Sequence, residues 1–303
     1  MSFKVIKSGF LASIQDKGRF GHAQHGISQS GVMDEHAYAW ANYLLNNDFN
    51  DAVIEITIGG LQLQAQDEVI IAITGADLDF KINNKSAALW QSIKIFKGDV
   101  LSWGYPKSGV RAYLAVKGGF NTETMFGSKS INLRENIGNK LTADEIIPCQ
   151  SSSQSSTQSI NAQYFPNYNQ ALVLRLLPSY QFSEFSTAQR DLFFNQNYLI
   201  SNASDRTGCR LNGLPMALKA QKRISEGMSY GSVEIAGDGL PIILLKDAPT
   251  IGGYPKIGTV FSLDLAKLAQ RQAHTELRFE LISNTQAQSE RKAFNEFFNI
   301  DYR

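Results

Sequence analysis

Val53-Ile54-Glu55-Ile56-Thr57-Ile58-Gly59-Gly60-Leu61-Gln62-Leu63-Gln64-Ala65 reads as two strands around a glycine pair. β-branched residues crowd the first half, and apolar and polar side chains alternate in the second. Gly59-Gly60 supplies the turn. The pattern carries on through the short segments 69–73 and 92–96, which are rich in β-branched residues, and 111–116 closes the series. Asn83-Asn84 and Lys97-Gly98-Asp99 mark further turns between them. Short strands at even spacing predict a barrel or sandwich.

Upstream of this series, residues 3–14 alternate loosely and predict a first strand. A glycine-rich polar loop follows, Gln15-Asp16-Lys17-Gly18-Arg19-Phe20-Gly21-His22 and then residues 26–34. Asp34 reads as an N-cap, because Ala37, Trp40, Ala41, Leu44 and Leu45 repeat at helical spacing behind it. Downstream, residues 150–159 are all Ser, Gln or Thr and bury no apolar area. They predict a boundary: a β-rich domain over 1–149, a connector over 150–170, and a second domain over 171–303. In the second half, residues 171–177, 198–200, 241–245, 259–263 and 277–281 read as strands. Ser186 and Gln189 form a capping box that opens a short helix. Further helices are predicted over 264–270 and 287–298.

Between the strands at 241–245 and 259–263 lies Lys246-Asp247-Ala248-Pro249-Thr250-Ile251-Gly252-Gly253-Tyr254-Pro255-Lys256-Ile257-Gly258. Read locally it is a glycine-rich hairpin with a solvated lysine. Read functionally it is a mount for an acid, hydroxyls and a lysine, with glycines that allow close backbone approach.

The totals exclude several classes. The 303 residues carry a net charge of +1, so no global field recruits nucleic acid or an acidic membrane. No apolar run approaches the length of a membrane span, and the first residues have no signal-peptide pattern. The chain is expected to be cytoplasmic. Its two cysteines, Cys149 and Cys209, form no framework, and its four histidines lack metal-ligand spacing, so no metal site is expected. Gly127-Ser128-Lys129-Ser130 falls short of a phosphate loop, and no G-x-S-x-G elbow is present. What remains is a set of constrained Asp, Arg and Gly loops on a β frame, which predicts one polar cleft.

Those loops resemble one family. Gln15-Asp16-x-Gly18-Arg19-x-Gly21 and Gly26-Ile27-x-x-Ser30-Gly31-x-Met33-Asp34 are similar to the opening signature of the family of 5-oxoprolinase C subunits. It is also called the biotin-dependent carboxyltransferase or allophanate hydrolase subunit 2 family, and it includes the KipA antagonist of a kinase inhibitor. Glu55-x-x-x-Gly59-Gly60, Ser204-Asp205-Arg206-x-Gly208, Ser225-Glu226-Gly227, Gly237-Asp238-Gly239 and Thr250-x-Gly252-Gly253-Tyr254-Pro255 follow in order. Pro249 and Glu234 stand where the family usually carries Gln.

The resemblance implies a mainly β fold, two barrel-like halves of cyclophilin type with a few short helices. It implies two partners, a KipI-like B subunit and a LamB/YcsF-like A subunit, and a small-molecule substrate, 5-oxoproline. ATP and Mg²⁺ would act through the complex, and the chain alone would be inactive. On that model Arg19, Asp34, Asp205, Arg206 and Lys256 carry the chemistry. Ser30, Gly31, Glu55, Asp238, Asp247, Thr250, Gly252, Gly253 and Tyr254 surround the substrate. Two other readings follow from the same resemblance. One is a carboxyltransferase component for urea-like amides, with biotin on another chain. The other is a non-catalytic antagonist that binds a KipI-like partner.

Overall fold

Strand follows strand through most of the chain in the computed structural model, whose described residues are 1–150, 157–217 and 224–300. Residues 151–156, inside the Ser/Gln-rich stretch, lie outside them. The chain divides into two compact units. The first comprises Met1–Arg19, Ser30–Asn169 and Phe298–Arg303, the second Phe20–Gln29 and Gln170–Phe297.

The first unit holds two antiparallel sheets. The six-stranded sheet runs Ile146–Pro148, Ser2–Ser8, Leu61–Ala65, Val100–Ser102, Lys81–Ile82, Lys85–Ser86. The five-stranded sheet runs Leu11–Gln15, Val53–Thr57, Ser108–Val116, Val69–Asp77, Gln91–Ile95. Phe3, Val5, Leu61 and Leu63 of the one share a core with Ile14, Ile54, Ile56 and Leu114 of the other. Helix α1 (Glu35–Tyr43) covers part of the five-stranded sheet, packing Ala37, Trp40 and Ala41 in one cluster with Val53, Ala72 and Tyr113. This explains the two textures of the opening stretch. Val53–Thr57 is buried at every position, whereas Leu61–Ala65 alternates buried and half-buried.

The strand predicted over 3–14 is two strands in two sheets. Gly9 breaks it with φ +69°, and a Cβ there would sit 2.6 Å from the Gly59 carbonyl oxygen. The α1 prediction holds at its cap, where the Asp34 carboxylate accepts the Ala37 N–H at 3.0 Å.

In the second unit, seven strands close a barrel. Their order is Leu172–Pro178, Lys256–Val260, Ser232–Ile235, Pro241–Leu244, Gly208–Asn212, Tyr198–Ile200, Glu276–Leu281. Leu172–Pro178 and Glu276–Leu281 are parallel neighbours, and the other described pairings are antiparallel. Helix α2 (Thr187–Phe194) opens with the predicted capping box of Ser186 and Gln189. It stacks Phe193 on Phe279 of the barrel, ring centroids 4.5 Å apart.

The predicted strand at 259–263 ends at Val260, and helix α3 (Ser262–Leu268) begins inside it. The cause is a distant partner. The Arg175 guanidinium donates to both oxygens of the fully buried Asp264, at 2.8 and 2.9 Å, and to Glu290 of helix α4 (Asn284–Phe297). Burial pushes the Asp264 carboxyl up, but hydrogen bonds from Arg175 and Lys267 outweigh it and hold the group below its ordinary range. A carboxyl lowered in the folded state stabilises above its unfolded pKa, and that stabilisation is lost as pH falls through the folded value. Asp264→Asn is therefore expected to cost about 3 kcal/mol at neutral pH. Thermal unfolding across pH should show a flatter acid limb for the variant. Identical curves for the two proteins would remove this ion pair from the stability of the barrel.

Candidate functional site

The first unit holds its glycine-rich polar loops from inside. The buried Asp16 carboxylate accepts from Ser128 Oγ (2.6 Å), Ser130 Oγ (2.6 Å), Lys129 N–H (2.7 Å) and Gly18 N–H (2.8 Å). The Gly-Ser-Lys-Ser stretch that fails as a phosphate loop is thus a cradle for Asp16. Arg19 is buried too, and its guanidinium donates to the Ser130 carbonyl. Gly31 has φ +102°, and a Cβ there would meet the Lys17 carbonyl oxygen at 2.9 Å, so the loop closes only on glycine. Ser30 is buried and donates to the Ile131 carbonyl at 3.2 Å.

A second buried group ties this loop to the sheet. Tyr113 donates its hydroxyl to Glu55 Oε2 at 2.9 Å and accepts the Asp34 N–H at 2.8 Å. Glu55 also accepts the Met33 N–H at 2.8 Å. Burial, with help from the negative charges of Glu55 and Asp34, pushes the Tyr113 phenol well up, so it stays a neutral donor. Tyr168 donates to the other Asp34 oxygen at 3.0 Å. Asp34, Glu55, Ser30, Gly31 and Arg19 therefore share one buried scaffold. Beside it, a cavity of about 460 Å³ is lined by Asp77, Asp79, Trp90, Lys107, Phe165 and Tyr168, of which the sequence reading named none. Asp79 and Trp90 both have positive φ, +52° and +61°, and Trp90 stacks on Phe165 at 5.5 Å. For a tryptophan that conformation is rare.

In the second unit the loop over 246–258 is not a hairpin. Pro241–Leu244 and Lys256–Val260 both pair with Ser232–Ile235, one on each side, so residues 246–255 arch over its end. Within the arch Ile251–Gly252 pairs with Glu226–Gly227. Arg206 holds the start of the arch through two bonds to Asp247, 2.8 and 3.2 Å. Its sequence neighbour Asp205 is a turn clamp, accepting the Thr207 N–H at 2.7 Å and the Gly208 N–H at 3.3 Å. Asp238 pairs with Arg210. Thr250 contributes its carbonyl to Met228 N–H at 2.9 Å. Tyr254 is half exposed, and Gly253 is open apart from Ser225 Oγ, 3.6 Å from where a Cβ would stand.

Lys256 is the centre of a cluster the sequence reading only half found. Its ammonium pairs with Glu226 at 3.0 Å and lies 5.7 Å from the centre of the Tyr180 ring. Gln181 accepts the Lys256 N–H at 2.6 Å and donates to Glu226 at 3.0 Å, and Tyr180 donates to Glu226 as well. The Tyr180 hydrogen bond first, and Lys256 next, hold the Glu226 carboxyl below its ordinary range. Glu226 lies in a motif the sequence displays, Ser225-Glu226-Gly227. Tyr180 and Gln181, 75 or more residues before Lys256, carry no local signal.

A family model for the carboxyltransferase domain, subdomains A and B, matches residues 25–281. The chain belongs to the carboxyltransferase domain family. It is 31% identical to the 5-oxoprolinase C subunit of Escherichia coli, over 97% of this chain and 96% of that protein. It is 34% identical to the 5-oxoprolinase C subunit of Haemophilus influenzae, over 91% and 90%. A putative urea carboxylase of Emericella nidulans is 30% identical over 92% of this chain, which spans 24% of that protein. Among solved structures of this family's fold, TTHA0988 superposes with a TM-score of 0.84 at 27% identity. The match covers 92% of this chain and about half, 55%, of that one. The urea carboxylase of Kluyveromyces lactis superposes with a TM-score of 0.89 at 24% identity, over 99% of this chain and 29% of that one. The mainly β reading of the carboxyltransferase domain stands, with a closed seven-stranded barrel in one unit and two sheets in the other. Among the described residues no helix is long and apolar enough to cross a membrane.

Proposed function

We propose that this chain is the C subunit of an ATP-dependent 5-oxoprolinase. It works in the cytoplasm with a KipI-like B subunit and a LamB/YcsF-like A subunit, and it is inactive alone. One observation carries the reading: the similarity to two 5-oxoprolinase C subunits runs through nine-tenths or more of both partners in each comparison. The urea carboxylase match covers a quarter of that protein, so biotin chemistry ranks second.

The chemistry asks for cations. A lactam carbonyl is a weak electrophile, and transfer of a phosphoryl group to its oxygen makes it attackable. That step needs positive groups around the transferring phosphoryl. Lys256 and Arg206 are cations held at the arch, each by a carboxylate. Among the described residues no group of three or more His, Cys, Asp or Glu side chains is placed to hold a metal. In this reading Mg²⁺ arrives with ATP, bound through the phosphates and needing only one or two carboxylates from protein.

The test is glutamate release from 5-oxoproline with ATP, measured for the chain alone, with its B-like partner, and with both A-like and B-like partners. Glutamate only in the full mixture is the expected result. A stable complex that forms none would overturn the assignment and bring forward assays with biotin and urea-like amides.

A further inference from the structure

Glu234 sits on the barrel strand Ser232–Ile235 directly opposite Lys256, its cross-strand partner. A register shift between Val233 and Glu234 in this pairing sets that match. Residues opposite each other in an antiparallel pair point to the same face. Glu234 is buried, with 6% of its surface exposed. Its Oε1 has no hydrogen-bond partner among the described residues. That oxygen lies against Gly252: a Cβ at residue 252 would stand 2.6 Å from it. Gly252 thus makes the room in which this carboxyl is kept.

We propose that Glu234 is a proton-dependent positioning residue for Lys256: as the neutral acid it leaves the ammonium to Glu226 and to an anionic ligand, and as the carboxylate it competes with that ligand. The ligand half of this proposal rests on the 5-oxoprolinase reading, in which both 5-oxoproline and ATP are anions. Three facts about the surroundings support it. Burial pushes the Glu234 carboxyl up, against the Tyr254 backbone N–H and Lys256, which act the other way. The charged groups that face it are Lys256 from its neighbour strand and Glu226 from the Glu226–Gly227 ribbon. Its partner on the other side, in the strand Pro241–Leu244, is the uncharged Ile242. An unpaired oxygen in such a place is costly when ionised, so loss of the proton is shifted to higher pH than for an ordinary glutamate.

Two measurements test the proposal. The first is a carboxyl-carbon NMR titration of the full-length chain, with Glu234→Gln to assign the resonance. The midpoint should lie above the ordinary carboxyl range, and should rise further in Lys256→Gln, because the opposing positive charge is gone. A midpoint that Lys256→Gln does not move would overturn the coupling. The second is the pH dependence of KM for 5-oxoproline in the reconstituted complex. Above the Glu234 midpoint native KM should rise up to about tenfold per pH unit, following the ratio of ionised to neutral acid. In Glu234→Gln, which mimics the neutral acid, that rise should vanish. The same rise with pH in both proteins would overturn the proposal. Failure of the native complex to make glutamate would overturn the 5-oxoprolinase reading instead, and the titration would still decide the Glu234–Lys256 coupling.

Discussion

Replacing Lys256 with alanine is expected to lower glutamate formation by the full complex about 100- to 1,000-fold, the usual loss when one donor to developing negative charge is removed. The side chain is only 13% exposed, yet its ammonium has a carboxylate partner that is itself one-third open, so it stands at the edge of solvent. Its backbone is fixed independently, by Gln181 and by the barrel pairing, so the variant should fold. A half-open ion pair contributes little to stability. The melting temperature should therefore stay close to native while turnover falls. Lys256→Arg should not restore the rate, because a planar fork cannot replace a compact ammonium beside Tyr180 and Glu226. Normal turnover in Lys256→Ala with unchanged stability would take Lys256 out of the site.

The second expected result concerns folding. Gly59→Ala should cost at least about 4 kcal/mol, an exceptional value for one methyl group. Gly59 has φ +95°, and a Cβ there would lie 1.8 Å from the Gly104 carbonyl oxygen. Neither neighbour can yield. Gly60 donates its N–H to the Trp103 carbonyl at 2.8 Å, and Gly104 donates to the Leu78 carbonyl at 2.6 Å. Both backbones are thus pinned in the first unit, with Ile58 beside them also in a left-handed conformation, φ +66°. The expected measurement is a fall in melting temperature of about 10 °C or more, or loss of soluble protein. A variant that melts within a degree or two of native would show that this crossing relaxes. The same glycine pair that reads in the sequence as a plain turn is, in the fold, a point where two backbone segments nearly touch.

Much of the candidate site was legible as position and little of it as partnership. The Asp16 loop, the Asp34 cap, the Ser-Glu-Gly ribbon and the Gly-Gly-Tyr-Pro-Lys arch all stood out as constrained polar segments. Their roles did not. Arg19, Asp34, Glu55 and Ser30 looked like groups that meet a ligand, and each is buried with bonds into the protein itself. Asp205 and Arg206 are neighbours in the sequence with separate partners: Asp205 clamps its own turn, and Arg206 reaches across 41 residues to Asp247. The strand predicted over 259–263 gave way to α3 because Arg175, far upstream, receives Asp264 in the first helical turn.

The division has a physical cause. Strand period, the Asp34 cap and the Ser186 capping box depend on residues within a few positions of each other, so the sequence by itself determined them. The glycine-rich motifs likewise carried the family, since their order and spacing survive without knowledge of contacts. Barrel closure and sheet order belong to the tertiary structure alone. They set Lys256 opposite Glu234, beside Glu226 and above Tyr180, residues separated by 22 to 76 positions in the chain. Which carboxylate holds which cation depends on that closure, because electrostatic and hydrogen-bond energies are settled by distance in space and by burial.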